Sequence, residues 1–99
     1  MLNITRKTED GQDIFSLEGR LDTVTAPALE QQLISSLDQI QTLVLDFENL
    51  EYISSAGLRV LLWAHKSMRT RGEMKVIHIN SIIREVFDVT GFSEILNIE

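Results

Sequence analysis

Leu50-Glu51-Tyr52-Ile53-Ser54-Ser55-Ala56-Gly57-Leu58 is the stretch on which the fold turns. Apolar residues of strand type end at Ile53, two hydroxyls follow, and Ala56-Gly57-Leu58 opens a run of helical periodicity. A serine at a strand-to-helix junction can cap the helix. A phosphate placed there would meet unpaired backbone N–H groups and the positive end of the helix dipole. The junction therefore suits a phosphorylation switch better than catalysis.

Working outward, Leu58, Leu61, Leu62 and Met68 mark a helix from about Ala56 to Thr70, with Arg69 and Arg71 suited to its negative end and Gly72 to its stop. Upstream, Leu43-Val44-Leu45 reads as a strand covered on both faces, and downstream Val76-Ile77-His78-Ile79 reads as another. The connection from Asp46 to Ala56 is then a loop at the carboxyl end of a parallel strand, where functional groups gather in such sheets.

Toward the N-terminus, Leu2, Ile4, Phe15 and Leu17 alternate with polar residues on either side of Glu9-Asp10-Gly11-Gln12, which predicts an antiparallel hairpin. Leu29, Leu33 and Leu37 recur every fourth residue and predict a helix capped by Thr25, with Pro27 tolerated in its first turn. Ser81 opens a third helix, in which Ile82, Ile83, Val86 and Phe87 share a face up to Gly91. Ile95, Leu96 and Ile98 predict a short last strand. The order β-β-α-β-α-β-α-β describes a single α/β domain over residues 1–99. Its sheet is mixed and mainly parallel, built through right-handed crossovers after an N-terminal antiparallel hairpin.

Composition narrows the function. The 99 residues are 43% hydrophobic, enough for one core. Without cysteine there is no disulfide framework, thiol chemistry or thiolate metal site. The net charge of −6, with Lys and Arg dispersed apart from Lys66, Arg69 and Arg71, argues against a nucleic-acid or anionic-membrane surface and favours a protein partner. Neither a signal-peptide pattern nor an apolar run near the roughly 20 residues of a bilayer span is present, so a cytoplasmic location without direct membrane insertion is expected.

Ser55 is the better phosphoacceptor of the two hydroxyls, because it falls at the expected N-cap just before Ala56-Gly57; Ser54 is the runner-up. Ser55 could equally act only as a cap, contributing roughly 1 kcal/mol. Gly57, lacking a side chain, would let another chain approach the turn. A serine hydrolase is disfavoured: no Gly-x-Ser-x-Gly elbow surrounds Ser55, and neither His65 nor His78 is spaced as its base. The two histidines lack a paired carboxylate motif, so no metal is expected. One glycine and no Gly-Lys-Ser/Thr ending argue against a nucleotide loop, and no cofactor is expected. Arg59, Trp63, Lys66 and Thr70 follow at helical spacing away from Leu58, Leu61 and Leu62, so Trp63 is either an exposed interface anchor or a residue packed over a neighbouring helix.

Asp46-Phe47 followed by Ile53-Ser54-Ser55-Ala56-Gly57-Leu58 resembles the signature of the STAS family, specifically bacterial anti-sigma factor antagonists. Gly19-Arg20-Leu21-Asp22 resembles the family's second, shorter motif, and the element order agrees from roughly Leu2 to Ile98. The resemblance implies a non-enzymatic partner-switching protein. Its unphosphorylated form binds an anti-sigma factor that is also a serine kinase and so frees a sigma factor; phosphorylation at Ser55 ends the binding, and a serine phosphatase resets it. By the same resemblance, Asp22 and Asp46 lie near Ser55. Separately from it, the expected partner surface joins these with Ser54, Ser55, Ala56, Gly57, Leu58, Arg59 and Trp63. Many relatives read Asp-Ser-Ser/Thr-Gly, whereas here Ser54 replaces the Asp and Ala56 the second hydroxyl residue, a departure that bears on which kinase recognises the site. The alternative is a STAS scaffold or regulatory subunit of another signalling assembly or of a lipid-transport complex.

Overall fold

In the computed structural model, which describes residues 1–99, strands β1 (Leu2–Glu9) and β2 (Gln12–Leu21) form the expected hairpin, closed between Glu9 and Gln12. Asp10 and Gly11 both take positive φ, at 53° and 79°, as the tight Asp-Gly turn requires. Helix α1 (Ala26–Ile34) carries the chain to β3 (Thr42–Ile53), α2 (Ser55–Met68) carries it to β4 (Glu73–Ile77), and α3 (Ser81–Thr90) and the single turn α4 (Phe92–Ile95) follow. Sheet order is β1-β2-β3-β4, antiparallel in the first pair and parallel in the other two.

Phe15 and Leu17, whose alternation is read in the sequence, lie with Leu21 of β2 beside Leu43, Leu45 and Phe47 of β3. These meet Leu29 and Leu33 of α1, Leu61, Ala64 and Met68 of α2, and Ile83 and Phe87 of α3 in one buried cluster. Asn80 holds α3 in place from both ends: its Oδ1 accepts from Ile83 N at 2.8 Å, and its Nδ2 donates to Leu50 O at 3.0 Å. Gly91, at φ 85°, ends that helix in the left-handed conformation.

Four local expectations are corrected. The segment after Asp46 is strand rather than loop: β3 continues to Ile53 because β2 supplies partners as far as Leu21, and two register shifts absorb the extra residues. The first helix stops at Ile34, and Leu37 reaches the core from a separate 3₁₀ turn, Leu37–Gln39. Thr25 does not cap α1 through its side chain. The expected last strand is a single parallel bridge between Val76 and Ile98, since Ile95 belongs to α4.

Candidate functional site

The C-terminal ends of β2 and β3 bring the two sequence motifs together. Ser54 N donates to Leu21 O at 2.9 Å, so the turn that begins at Asp22 lies against the start of α2. That turn is tightly bonded. Asp22 Oδ1 accepts from Val24 N and Thr25 N, each at 3.0 Å, while Thr25 Oγ1 donates to Arg20 O at 2.7 Å and accepts from Asp22 N at 2.8 Å. These bonds are why Thr25 is not free to cap α1. The Thr25 N–H holds the Asp22 carboxyl below the usual aspartate value, against an opposing push from desolvation and with help from the Thr25 hydroxyl and the Val24 N–H. Arg20 lies 3.9 Å from Asp22 Oδ2 and stacks its guanidinium 4.3 Å from the centre of the Tyr52 ring.

The roles of the two serines differ from the expected ones. Ser54, half-buried and in extended conformation, is the N-cap of α2, and its side chain accepts from Gly57 N at a long 3.4 Å. Ser55 is the first helical residue, exposed, with no side-chain hydrogen bond inside the protein. Capping therefore falls to Ser54 and leaves the Ser55 hydroxyl available to solvent.

Gly57 is buried, and its need for glycine comes from within the domain. A Cβ there would stand 2.8 Å from both Leu21 Cγ and Ile53 Cγ1. Leu58 is likewise part of the core. Neither is a surface residue a partner could pack against. Ala56 is half-buried and, with Arg59 and Val60, forms one wall of a shallow groove of about 220 Å³ whose other wall is Ala26, Pro27 and Glu30 of α1. Arg59, Lys66 and Thr70 are exposed as expected, while Trp63 is half-buried and packs against the core.

Asp46 is not brought to Ser55. It pairs with Ser16 of β2, whereas Ile53 pairs with Leu21, and the stretch from Ser16 to Leu21 spans roughly 17 Å at strand rise. Its partner is instead His78, whose Nδ1 lies 3.0 Å from Asp46 Oδ1 just beyond β4. In sequence Asp46 follows the apolar run Leu43-Val44-Leu45 and His78 lies inside the run Val76-Ile77-His78-Ile79, so neither position alone announces the contact. Glu48 completes a group whose donor atoms all lie within 4.8 Å of one another, so His78 does have the carboxylate neighbours that sequence spacing did not reveal. The hydrogen bond to Asp46, then the charges of Asp46 and Glu48, raise the His78 pKa above the ordinary histidine value. A raised folded-state pKa means that the pair's contribution to stability is full below the ordinary histidine value and is lost as pH rises through the raised one. An NMR titration of the imidazole is expected to show the raised midpoint, and Asp46→Asn to return it toward the ordinary value; an unchanged midpoint in Asp46→Asn would reject this cause.

No helix is long and apolar enough to cross a membrane. Residues 3–99 match the family model for the STAS domain. BtrV of Bordetella bronchiseptica, assigned as an anti-sigma factor antagonist, is 38% identical over 96 residues, covering 95% of this chain and 83% of that protein. The crystal structure of an anti-sigma factor antagonist from Mycobacterium paratuberculosis superposes with a TM-score of 0.90 at 26% identity, covering 99% of this chain and 85% of that one. The phosphorylated form of the Bacillus cell fate determinant SpoIIAA shares the fold, with a TM-score of 0.76 at 17% identity over 98% of this chain and 91% of that one. With the four-stranded mixed sheet, the Gly19–Asp22 turn and the Ser54–Leu58 junction meeting at one end of the molecule, the chain belongs to the STAS domain family of anti-sigma factor antagonists.

Proposed function

We propose that the chain is a partner-switching antagonist whose unphosphorylated form binds an anti-sigma factor with serine kinase activity, and whose Ser55 is the regulatory phosphoacceptor. The observation that carries this reading is the division of labour at the start of α2: Ser54 supplies the cap, and the exposed Ser55 hydroxyl has no structural bond to break. In the modification, the Ser55 oxygen takes the γ-phosphoryl group of ATP, ADP leaves, and the hydroxyl proton passes to a base on the kinase. A serine phosphatase reverses the change by hydrolysis.

The binding surface is the Asp22–Thr25 turn with Pro27 at the start of α1, Ser55, Ala56 and Arg59, with Trp63 one turn further along α2. Gly57 and Leu58 support it from beneath, and Asp46 lies outside it. Phosphoserine adds roughly −1.5 to −2 charges at neutral pH. At the first turn of a helix the domain can carry that charge, whereas a partner packed beside the ionised Asp22 would have to desolvate it next to a like charge.

The test is to incubate the chain and ATP with a serine-kinase anti-sigma factor encoded in the same genome, and to map the incorporated phosphate by mass spectrometry. Modification at Ser55, abolished in Ser55→Ala and retained in Ser54→Ala, is the expected result. Phosphate on Ser54, or none on either serine, would overturn the assignment.

A further inference from the structure

Arg59 stands one helical turn after Ser55, and residues four apart on a helix are neighbours with Cβ atoms roughly 5–6 Å apart. Helical side chains lean toward the N-terminus, which puts the turn that Ser55 begins within reach of the long Arg59 side chain. Arg59 is exposed and belongs to none of the protein's ion pairs, which are Arg6–Asp13, Lys7–Glu9, Arg20–Asp22, Arg71–Asp38, Lys75–Glu99 and His78–Asp46. The first turn of α2 holds no acidic residue, and so no fixed anion competes there for the guanidinium.

We infer that Arg59 is the intramolecular clamp for phosphoserine at position 55. Once the phosphate is attached, its oxygens meet the free N–H groups of the first turn of α2 on one side and the Arg59 fork on the other, an arrangement suited to paired charge-assisted hydrogen bonds. The surrounding charges make such a clamp useful. Asp22 is held ionised on the adjoining turn and repels the phosphate, Arg20 is already engaged with Asp22 and Tyr52, and Glu30 faces Arg59 across the groove without closing an ion pair. Arg59 is thus the uncommitted cation beside the modified serine. The clamp also gives phosphorylation a second effect, since it withdraws Arg59 from the binding surface in addition to placing a dianion there.

The inference rests on Ser55 as the acceptor, but it can be tested apart from any kinase by producing the full chain with phosphoserine installed at position 55 through an expanded genetic code. In a ³¹P NMR titration at low salt, the second ionisation of the phosphate is expected to fall lower by about half a pH unit than in the same chain carrying Arg59→Gln, the size of an exposed ion pair. Arg59→Lys should recover part of the difference, and Lys66→Gln, further along the helix, should leave the wild-type midpoint in place. Equal midpoints for the wild type and Arg59→Gln would overturn the clamp while leaving the kinase assignment of Ser55 intact. Failure of the kinase to modify Ser55 would overturn that assignment without touching the titration.

Discussion

Gly57→Leu is expected to leave little folded protein, and Gly57→Ala to lower the stability of the domain by about 1–3 kcal/mol, the usual range for overpacking a filled core. An alanine Cβ at this site would sit 2.8 Å from Leu21 Cγ and from Ile53 Cγ1, atoms near the roots of two buried strand side chains that cannot simply swing aside. The roughly 1 kcal/mol by which alanine outranks glycine as a helix former offsets part of this strain, which is why alanine damages the fold while leucine defeats it. Against a total stability of about 5–15 kcal/mol, the leucine variant has no reserve. Urea unfolding followed by far-UV circular dichroism reads both changes. If Gly57→Leu unfolds with wild-type midpoint and slope, the close packing of α2 on the ends of β2 and β3 is refuted. Lost partner binding in a Gly57 variant thus reports on folding and cannot map the interface.

Ser55→Asp is expected to fold normally and to bind its anti-sigma factor at least about a hundredfold more weakly, a loss of roughly 2.7 kcal/mol. Ser55 is exposed, so the carboxylate enters no packed space, and an acid in the first turn of a helix adds about 0.3–1 kcal/mol of stability. The melting temperature should hold or rise slightly. The binding penalty has a separate origin, because the new charge must be desolvated against the partner beside Asp22, itself kept ionised by the N–H groups of its turn. Calorimetric titration with the unmodified chain and Ser55→Asp separates the two effects. Equal affinities would show that charge at position 55 does not govern binding, and a collapsed melting temperature would show that Ser55 has a structural role.

The relation between the two serines illustrates how finely local reading resolves a site. The junction itself was legible: an apolar strand end, two hydroxyls and a helical repeat occupy the positions those patterns require. Which hydroxyl faces inward depends on the Ser54 N–H bond to Leu21 O, a contact between segments more than thirty positions apart in the chain. Pairing with β2 places Ser54 in extended conformation at the N-cap, and Ser55 follows as the first helical residue. What suits Ser55 to phosphorylation is therefore its exposure, while capping belongs to Ser54.

Sequence alone determined what depends on neighbours along the chain. The Asp10-Gly11 turn follows from the ease with which those residues take positive φ, the main helices from apolar repeats of about four residues, the inward face of β2 from alternation at Phe15 and Leu17, and the buried start of β3 from the apolar run Leu43-Val44-Leu45. Only the tertiary structure decided the rest. Polar Asn49 lies in a strand because Glu18 of β2 offers its backbone a partner, and Glu48 and Glu51 are carried in the same strand as the extra residues at the two register shifts. Asp46 belongs to His78 rather than to Ser55 because parallel pairing sets β3 beside β4. Gly57 is fixed by Leu21 and Ile53, and Arg59 remains without a counter-charge because no acidic side chain from another element reaches it. In each case the deciding group is contributed by a distant segment, and the distances that matter, a few ångströms across an interface, are set by how the elements pack rather than by any pattern within one of them.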